Sequence, residues 1–276
     1  MAGLIPVTTA DDPRLEPYRD IRERDLVGRQ GLFVAEGKVV IEKLLAAGRL
    51  PLRSVLLSEA KARGLTALTE RVPPQTPIYV APQAVLDAVA GFAVHRGVLG
   101  LGERRDLDPR EMLAALPPRA LVVALSGVAN HDNMGGVFRN AAAFGAQAVL
   151  LDAACCDPLY RKAIRVSVGA ALTVPFARLA RGEDLLETLE QAGFETLALS
   201  PAGSESLEQV RPAARTAAVF GAEGPGLAPE LLARARTVRI AMAGGFDSLN
   251  LATASGLVLH HCHLMGFSPP GGQAAA

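Results

Sequence analysis

Short apolar runs alternate regularly with helical patterns in the second half of the chain, and few architectures accommodate such a pattern. The apolar runs lie at residues 121–125, 147–151, 173–176, 196–199, 217–220 and 238–242, and a long helical pattern over 249–265 ends the series. Strands that are apolar throughout and separated by helices are typical of a parallel sheet covered on both faces. The sequence therefore predicts an α/β domain in this half.

A shorter alternation of the same kind occupies the first part of the chain. Apolar runs at 31–35, 52–57, 78–81 and 98–101 alternate with helical patterns at 38–47, 59–71 and 82–89. A charged stretch with two adjacent prolines, residues 103–119, then marks a boundary. The sequence thus predicts two domains, residues 1–110 and 119–267, followed by a disordered tail at 268–276.

Composition and charge narrow the class of protein. Of the 276 residues, 50% are hydrophobic and 20% are charged, as in a folded globular protein. The 28 basic residues balance the 28 acidic ones, which excludes histone-like wrapping of nucleic acid but not a local basic surface. Three cysteines do not make a disulfide framework. We expect neither a signal peptide nor a membrane span, and hence a cytoplasmic protein.

Three glycine-rich loops, each after an apolar run, are candidate ligand sites, because open α/β sheets bind ligands at the carboxyl ends of their strands. In the first loop, residues 126–140, Gly135 and Gly136 allow another backbone or a ligand to approach closely. Arg139 falls on the same helix face as Gly135, and Asn133 is an amide that can hold a turn or cap the helix. This loop predicts a fixed cation beside a gap in the helix surface.

The second and third loops carry the remaining polar candidates. The second, residues 220–227, surrounds Glu223 with three glycines but matches neither a dinucleotide fingerprint nor a phosphate-binding P-loop. The third, residues 240–254, leads through two glycines to Ser248, which can cap the closing helix, and to Asn250, for which we expect a specific hydrogen bond. Taken singly, each loop also fits an ordinary turn or helix cap.

Taken together, the three loops resemble the motifs of a known family. The ordered set N-x-x-N-x-G-x-x-x-R, G-A-E-G-x-G and I-x-M-x-x-x-x-x-S-L-N is similar to the three motifs of the SpoU/TrmH-like RNA 2′-O-ribose methyltransferases of the SPOUT superfamily. The similarity covers residues 121–265, and residues 33–48 resemble the ribosomal-protein-like substrate-binding domain of that family. The proline that commonly follows the third-motif isoleucine is Ala241 here, whereas every polar motif residue is retained.

The resemblance implies a fold, a cofactor and a reaction. The implied fold is α/β, with a parallel-sheet SPOUT domain that carries a C-terminal trefoil knot and follows a small α/β substrate-binding domain. The implied reaction is S-adenosylmethionine-dependent methylation of a ribose 2′-hydroxyl in RNA by a homodimer. Ribosomal RNA is the favoured substrate and transfer RNA the alternative. The site residues implied by motif position are, for catalysis, Arg139, Asn133, Glu223, Ser248 and Asn250, and, for the cofactor, Leu199, Gly221, Ile240, Met242 and Leu249.

RNA contacts are expected from basic residues outside these motifs. Arg161, Lys162 and Arg165 place three positive charges close together without an acid, so phosphate contact and a solvated surface are both open interpretations. A second basic group is interleaved with acids, which favours a solvated helix face; it consists of Arg14, Arg19, Arg22, Arg24 and Arg29. The histidines at 260, 261 and 263 follow one another around a helix and lack zinc-like spacing, so we expect no metal.

Two other functions stay open at this point. A protein of the same fold could bind RNA or assist ribosome assembly without catalysis, although the retained Arg139, Glu223 and Asn250 count against this. A nucleotide-binding oxidoreductase is disfavoured, because the chain lacks a dinucleotide fingerprint and lacks an acid about 20 residues beyond a suitable glycine loop.

Overall fold

The computed structural model describes residues 3–19, 27, 30–244 and 247–267. These residues form two compact units. Unit 1 comprises the residues up to Arg105 together with Asp157–Thr173, and unit 2 comprises Asp106–Cys156 and the residues from Val174 onward. The expected tail at 268–276 lies outside the described residues.

Strands and helices alternate along most of the described chain. The strands are β1 (Leu4–Pro6), β2 (Leu32–Glu36), β3 (Leu52–Ser58), β4 (Ile78–Ala81), β5 (Val98–Glu103), β6 (Ala120–Leu125), β7 (Ala148–Leu151), β8 (Phe176–Arg178), β9 (Glu195–Leu199), β10 (Glu205–Ser206), β11 (Arg215–Phe220) and β12 (Arg236–Arg239). The α-helices are α1 (Lys38–Ala47), α2 (Glu59–Ala62), α3 (Thr66–Thr69), α4 (Gln83–Ala90), α5 (Pro109–Ala114), α6 (His131–Phe144), α7 (Arg161–Val166), α8 (Ala170–Thr173), α9 (Leu185–Gln191), α10 (Pro229–Arg234) and α11 (Leu251–Leu264).

Unit 1 is a mixed sheet with helices packed against it. Its strand order is β1-β4-β3-β5-β2, and β5 runs antiparallel to both of its neighbours. Leu56, Leu86 and Leu99 belong to its buried core. The helix predicted over 59–71 is instead broken into α2, a 3-10 turn at Arg63–Leu65 and α3, and Gly64 lies within that break.

The predicted domain boundary is wrong in one respect, because a segment from the second half of the chain belongs to unit 1. Helix α7 packs against β2, and α8 packs against α1. Arg161 forms an ion pair with Glu36 at 2.9 Å, and Lys43 donates a hydrogen bond to the carbonyl of Val168 at 2.7 Å. These contacts explain why residues 157–173 separate from the flanking chain of unit 2.

Unit 2 has the parallel α/β architecture that the apolar runs predicted. Its seven strands follow the order β10-β12-β9-β11-β6-β7-β8, and every neighbouring pair is parallel. All six residues of β6 are buried, because helices cover the sheet and leave no polar face along this central strand. The two strands predicted at 173–176 and 238–242 are shifted in the structure to β8 and β12. Residues Ala170–Thr173 are helical, and residues 240–242 leave the sheet.

Side-chain caps define where the two longest helices of unit 2 begin. The Asn130 side chain accepts a hydrogen bond from the backbone N–H of Asp132 at 2.8 Å at the start of α6. The Asn250 side chain accepts from the N–H groups of Ala252 and Thr253, at 2.9 and 3.3 Å, at the start of α11. Asparagine at this position satisfies amides that would otherwise lack a partner. The expected cap by Ser248 is therefore replaced by one from Asn250.

Candidate functional site

A cavity of about 320 Å³ opens at the carboxyl ends of β9, β11 and β12, which are neighbours in the sheet of unit 2. Its walls come mainly from three segments: residues 199–201 at the end of β9, the glycine-rich turn after β11, and, between β12 and α11, Ile240, Met242 and residues 248–250. Strands β11 and β12 flank β9, so the loops that follow these strands meet at one edge of the sheet.

The cavity brings together most of the residues that the sequence singled out. All five expected cofactor contacts line it, namely Leu199, Gly221, Ile240, Met242 and Leu249. Three of the expected catalytic residues also line it, namely Glu223, Ser248 and Asn250. Sequence reasoning missed Ser200 and Pro201, which line the cavity after β9. The S-P-A-G run at 200–203 directly after an apolar strand is the turn signal that could have found them.

The turn after β11 closes tightly on itself at Gly221. A Cβ atom added to this residue would lie 2.3 Å from the carbonyl carbon of Gly226 and 2.5 Å from the backbone nitrogen of Leu227. Ala222 and Gly226 form an isolated bridge across the same turn. Only glycine fits at position 221, because the obstructing atoms are backbone atoms that cannot move independently.

Asn250 connects all three loops. Its side-chain amide nitrogen donates to Asn133 Oδ1 at 2.9 Å and to Glu223 Oε1 at 3.3 Å, while its oxygen caps α11. Asn133 does not line the cavity but is tied to it through Asn250. Asn133 is only 3% exposed, and its Nδ2 atom has no hydrogen-bond partner among the described residues. A buried donor without a partner is costly, so this amide is a candidate to bind a ligand or a water molecule.

Backbone groups add further hydrogen-bonding capacity to the cavity wall. Within the part of the chain that the structure describes, the N–H groups of Ile240, Ala241 and Met242 donate no hydrogen bond. Ile240 and Met242 line the cavity. The wall therefore combines apolar side chains with unpaired backbone donors, as small-molecule sites commonly do.

Arg139 lies on the exposed surface of α6 and is not among the residues that line the cavity. The two glycines that precede it do not make a gap for a ligand. Gly135 is buried, and a Cβ atom on Gly136 would lie 2.5 Å from the Cβ of Ala252, so Gly136 admits helix α11. Of the two interpretations of this glycine pair, close approach of another backbone is therefore the correct one.

The three basic residues of α7 considered for RNA contact differ in exposure. The Arg161 guanidinium is half-buried, is ion-paired with Glu36 and lies 3.8 Å from the ring centroid of Phe92. Lys162 and Arg165 are exposed.

In the N-terminal basic group, the arginines that the structure describes pair with neighbouring acids. Arg14 pairs with Asp12 at 2.5 Å, and Arg19 pairs with Glu16 at 3.0 Å. Arg22, Arg24 and Arg29 lie outside the described residues.

The C-terminal histidines make ordinary packing contacts. The ring of His260 lies edge-on to Phe144 at 5.4 Å, and His261 Nε2 is 3.0 Å from the carbonyl of Val210. The described residues contain no group of three or more side chains able to hold a metal ion. Among the same residues, no helix has the length and apolar character that crossing a bilayer requires.

Comparison with known proteins assigns the family. The model of the SpoU rRNA methylase family matches residues 120–260. An uncharacterized tRNA/rRNA methyltransferase of Mycobacterium bovis is 39% identical over 265 residues, which cover 92% of this chain and 90% of the relative. The chain belongs to the SpoU rRNA methylase family. This confirms the resemblance seen in the three motifs and makes the protein an RNA methyltransferase.

Solved structures of RNA methyltransferases share the fold. The AdoMet-bound rRNA methyltransferase of Sinorhizobium meliloti is 25% identical and has a TM-score of 0.83, with 96% of this chain and 99% of that chain covered. An RNA 2′-O ribose methyltransferase is also 25% identical and has a TM-score of 0.76, with 95% and 99% covered. The α/β fold with a parallel sheet is thus that of SpoU methyltransferases.

Proposed function

We propose that this protein transfers the methyl group of S-adenosylmethionine to a ribose 2′-hydroxyl of RNA, and that its substrate is ribosomal RNA. The cavity at the ends of β9, β11 and β12 carries the proposal, since residues from two of the three family motifs line it and Asn250 ties the third to it. The 2′-hydroxyl target and ribosomal RNA are supported by what the two related structures are named for. The reaction would take place in the cytoplasm, where ribosomal RNA is available.

The cavity suits the cofactor in size and chemistry. Its volume of about 320 Å³ lies at the lower end of the usual range for small-molecule sites. Leu199, Ile240, Met242 and Leu249 offer apolar surface to an adenosyl group, and the unpaired N–H groups of Ile240 and Met242 offer donors to its polar edges. Gly221 keeps the turn narrow enough to leave this space. Once bound, the cofactor supplies a methyl group activated by a sulfonium centre.

The polar residues around the cavity orient the reacting groups. A ribose hydroxyl is a weak nucleophile, so the site has to hold it in line and help remove its proton. Glu223 and Asn250 lie at the cavity wall and are hydrogen-bonded to each other, and Ser248 lies beside them. We assign Arg139 to the RNA: its permanently charged guanidinium binds a phosphate or the hydroxyl and stabilises the developing negative charge.

RNA also contacts unit 1 in this proposal. Lys162 and Arg165 are exposed on α7 and face no acid within their own helix. Arg161 holds α7 on unit 1 through its ion pair with Glu36 and its contact with the Phe92 ring. We therefore assign direct phosphate contact to Lys162 and Arg165, and a supporting role to Arg161.

The functional form is a homodimer with a knotted C-terminal segment, as in the family that the motifs resemble. Leu257 and Leu264 are 44% and 65% exposed, and they lie seven residues apart on the same face of α11. Two leucines exposed on one helix face can be buried against the same face of a second copy in a symmetric dimer. Light scattering of Leu257→Glu/Leu264→Glu should show a monomer, and an unchanged dimer would contradict this interface.

The central experiment combines cofactor binding with mapping of methylated riboses. We expect the parent protein to bind S-adenosylhomocysteine in calorimetry and to restore one 2′-O-methyl group in ribosomal RNA from cells that lack the gene. We expect Arg139→Ala to bind the cofactor within twofold of the parent but to lose at least 100-fold in kcat/KM, in line with removal of a transition-state contact. The matched control is Arg181→Ala, since Arg181 is also an exposed arginine of unit 2.

Each outcome bears on a different part of the proposal. Methylation of a base instead of a ribose, or of transfer RNA alone, would overturn the substrate assignment. Binding of RNA without any heat on cofactor addition would favour a non-catalytic RNA-binding protein. Parent-level activity in Arg139→Ala would remove Arg139 from the mechanism.

A further inference from the structure

The location of Arg139 depends on how two helices pack. Its side chain is exposed and makes no hydrogen bond or ion pair with any other residue that the structure describes. Its distance from the cavity is therefore set by the contact between its own helix, α6, and α11. The N-terminal residues of α11, Leu251 and Ala254, line the cavity directly.

Small residues make this helix contact around the start of α11, whereas farther along it Phe144 of α6 packs edge-on against His260 of α11. Gly136 of α6 lies against Ala252 of α11, and a Cβ atom on Gly256 of α11 would lie 3.3 Å from the side-chain nitrogen of Asn140. Interlocking side chains normally set the register of two packed helices. Where glycines replace them, as around the start of α11, the backbones approach closely and side-chain interlocking contributes less to the register. Hydrogen bonds at this end of the contact then help to hold it.

Two polar ties join the helices. The first is the bond from Asn250 to Asn133 at 2.9 Å. The second comes from Asn140, whose Nδ2 atom donates to the carbonyl of Ala252 at 2.6 Å and to Oγ of Ser255 at 2.9 Å. Ser255 is fully buried and donates in turn to the carbonyl of Ala252 at 2.9 Å.

The position of the second tie on α6 indicates what its hydrogen bonds hold in place. Asn133 and Asn140 are seven residues apart on α6, which is about 10 Å along the helix axis. Two ties at that separation fix both the position of α11 and its direction along α6. Arg139 directly precedes Asn140, so the second tie holds the part of α6 that carries the guanidinium.

We propose that Asn140 is a positioning residue of the methyl-transfer reaction, which holds Arg139 at a fixed distance from the cavity by tying α6 to the first turns of α11. The inference rests on the proposed function, because Arg139 has a role in catalysis only there. A displacement of about 1 Å can lower a rate by 100-fold, so even a small shift of α6 along α11 lowers the rate of methyl transfer.

The first test separates positioning from stability. We expect Asn140→Ala to lower kcat at least tenfold, with the S-adenosylhomocysteine Kd and the RNA KM within twofold of the parent. Ser255→Ala, which removes one of the two acceptors, should lie between Asn140→Ala and the parent. Val258→Ala is the matched control, because it removes buried volume from the same helix without touching the tie. We expect its kcat to stay within twofold of the parent even if its Tm falls.

Two kinetic results would overturn the proposal. The first is a kcat of Asn140→Ala within twofold of the parent. The second is a loss of kcat in Val258→Ala as large as that in Asn140→Ala when the two variants have the same Tm. A double-mutant cycle adds a readout that a merely structural role would not move. In an Arg139→Lys background, Asn140→Ala should cost less than a further twofold in kcat, because the group it positions is already altered. The full tenfold loss in that background would contradict the proposal.

Hydrogen–deuterium exchange tests the tie without any activity. The amides of residues 251–255 should exchange faster in Asn140→Ala than in the parent, and at the parent rate in Val258→Ala. Unchanged exchange in Asn140→Ala would refute the tie even if activity fell. A parent protein that binds S-adenosylhomocysteine but methylates no RNA would refute the proposed function instead, and the exchange data would still decide whether Asn140 holds the helices together.

Discussion

Replacement of Gly221 by alanine tests whether the turn after β11 shapes the cofactor cavity. The new Cβ would lie 2.3 Å from the carbonyl carbon of Gly226. Carbon atoms in contact are separated by about 3.5 Å, so the turn has to open by about 1 Å. Gly221 has no positive φ, hence the cost is steric and not conformational. Overpacking of this kind costs about 2 kcal/mol, which lowers the Tm by about 4–8 °C.

The displaced turn carries Glu223 and forms one wall of the cavity, so we expect cofactor binding to weaken at least tenfold. Titration calorimetry with S-adenosylhomocysteine measures the Kd, and differential scanning fluorimetry measures the Tm. Gly244→Ala is the matched control, since no atom of the residues that the structure describes lies within 4 Å of a Cβ at that position. The reasoning fails if Gly221→Ala binds the cofactor within twofold of the parent, or if Gly244→Ala weakens binding equally.

Three further predictions concern other parts of the molecule. Asn250→Ala and Asn130→Ala each remove a helix cap worth about 1 kcal/mol, and only the first should weaken cofactor binding; equal Kd values would contradict this. Burial raises the pKa of the Cys155 and Cys262 thiols to about 12, so mass spectrometry should find neither alkylated by iodoacetamide at about pH 8 unless the protein is unfolded. Arg161→Ala loses a partly buried ion pair and a ring contact, so it should cost about 2 kcal/mol; an unchanged urea midpoint would show that α7 is held by other contacts.

The parallel sheet of unit 2 could be predicted because its strands are buried on both faces. Burial on both faces demands an unbroken apolar run, and the runs at 121–125, 196–199 and 217–220 lie within β6, β9 and β11. The cavity followed from the same logic, since glycine and polar residues after such runs collect at one edge of the sheet. The predicted bounds of β12 were less accurate, because its apolar run continues into residues 240–242, which leave the sheet and of which Ile240 and Met242 line the cavity.

The insertion of residues 157–173 into unit 1 could not be predicted from a local pattern. The segment has the charge and helical spacing of an ordinary surface helix, and nothing in its sequence says which core it covers. What assigns it to unit 1 is pairing over a long sequence distance, from Arg161 to Glu36 and from Lys43 to the carbonyl of Val168. Val168 adopts a φ of +51°, which a β-branched residue rarely tolerates. This backbone conformation can be predicted only once the surrounding contacts are known.

The glycine pair before Arg139 shows why the position of this arginine was harder to predict than the walls of the cavity. Periodicity places Arg139 on a face of α6, but it does not say whether the neighbouring glycines face a ligand or another helix. The structure shows α11 there, with Ala252 against Gly136 and the Asn140 amide bonded to the carbonyl of Ala252. The cavity is built from loops that follow adjacent strands, so sheet topology alone brings its walls together. The place of Arg139 depends instead on the register of two helices, to which hydrogen bonds between residues distant in sequence contribute.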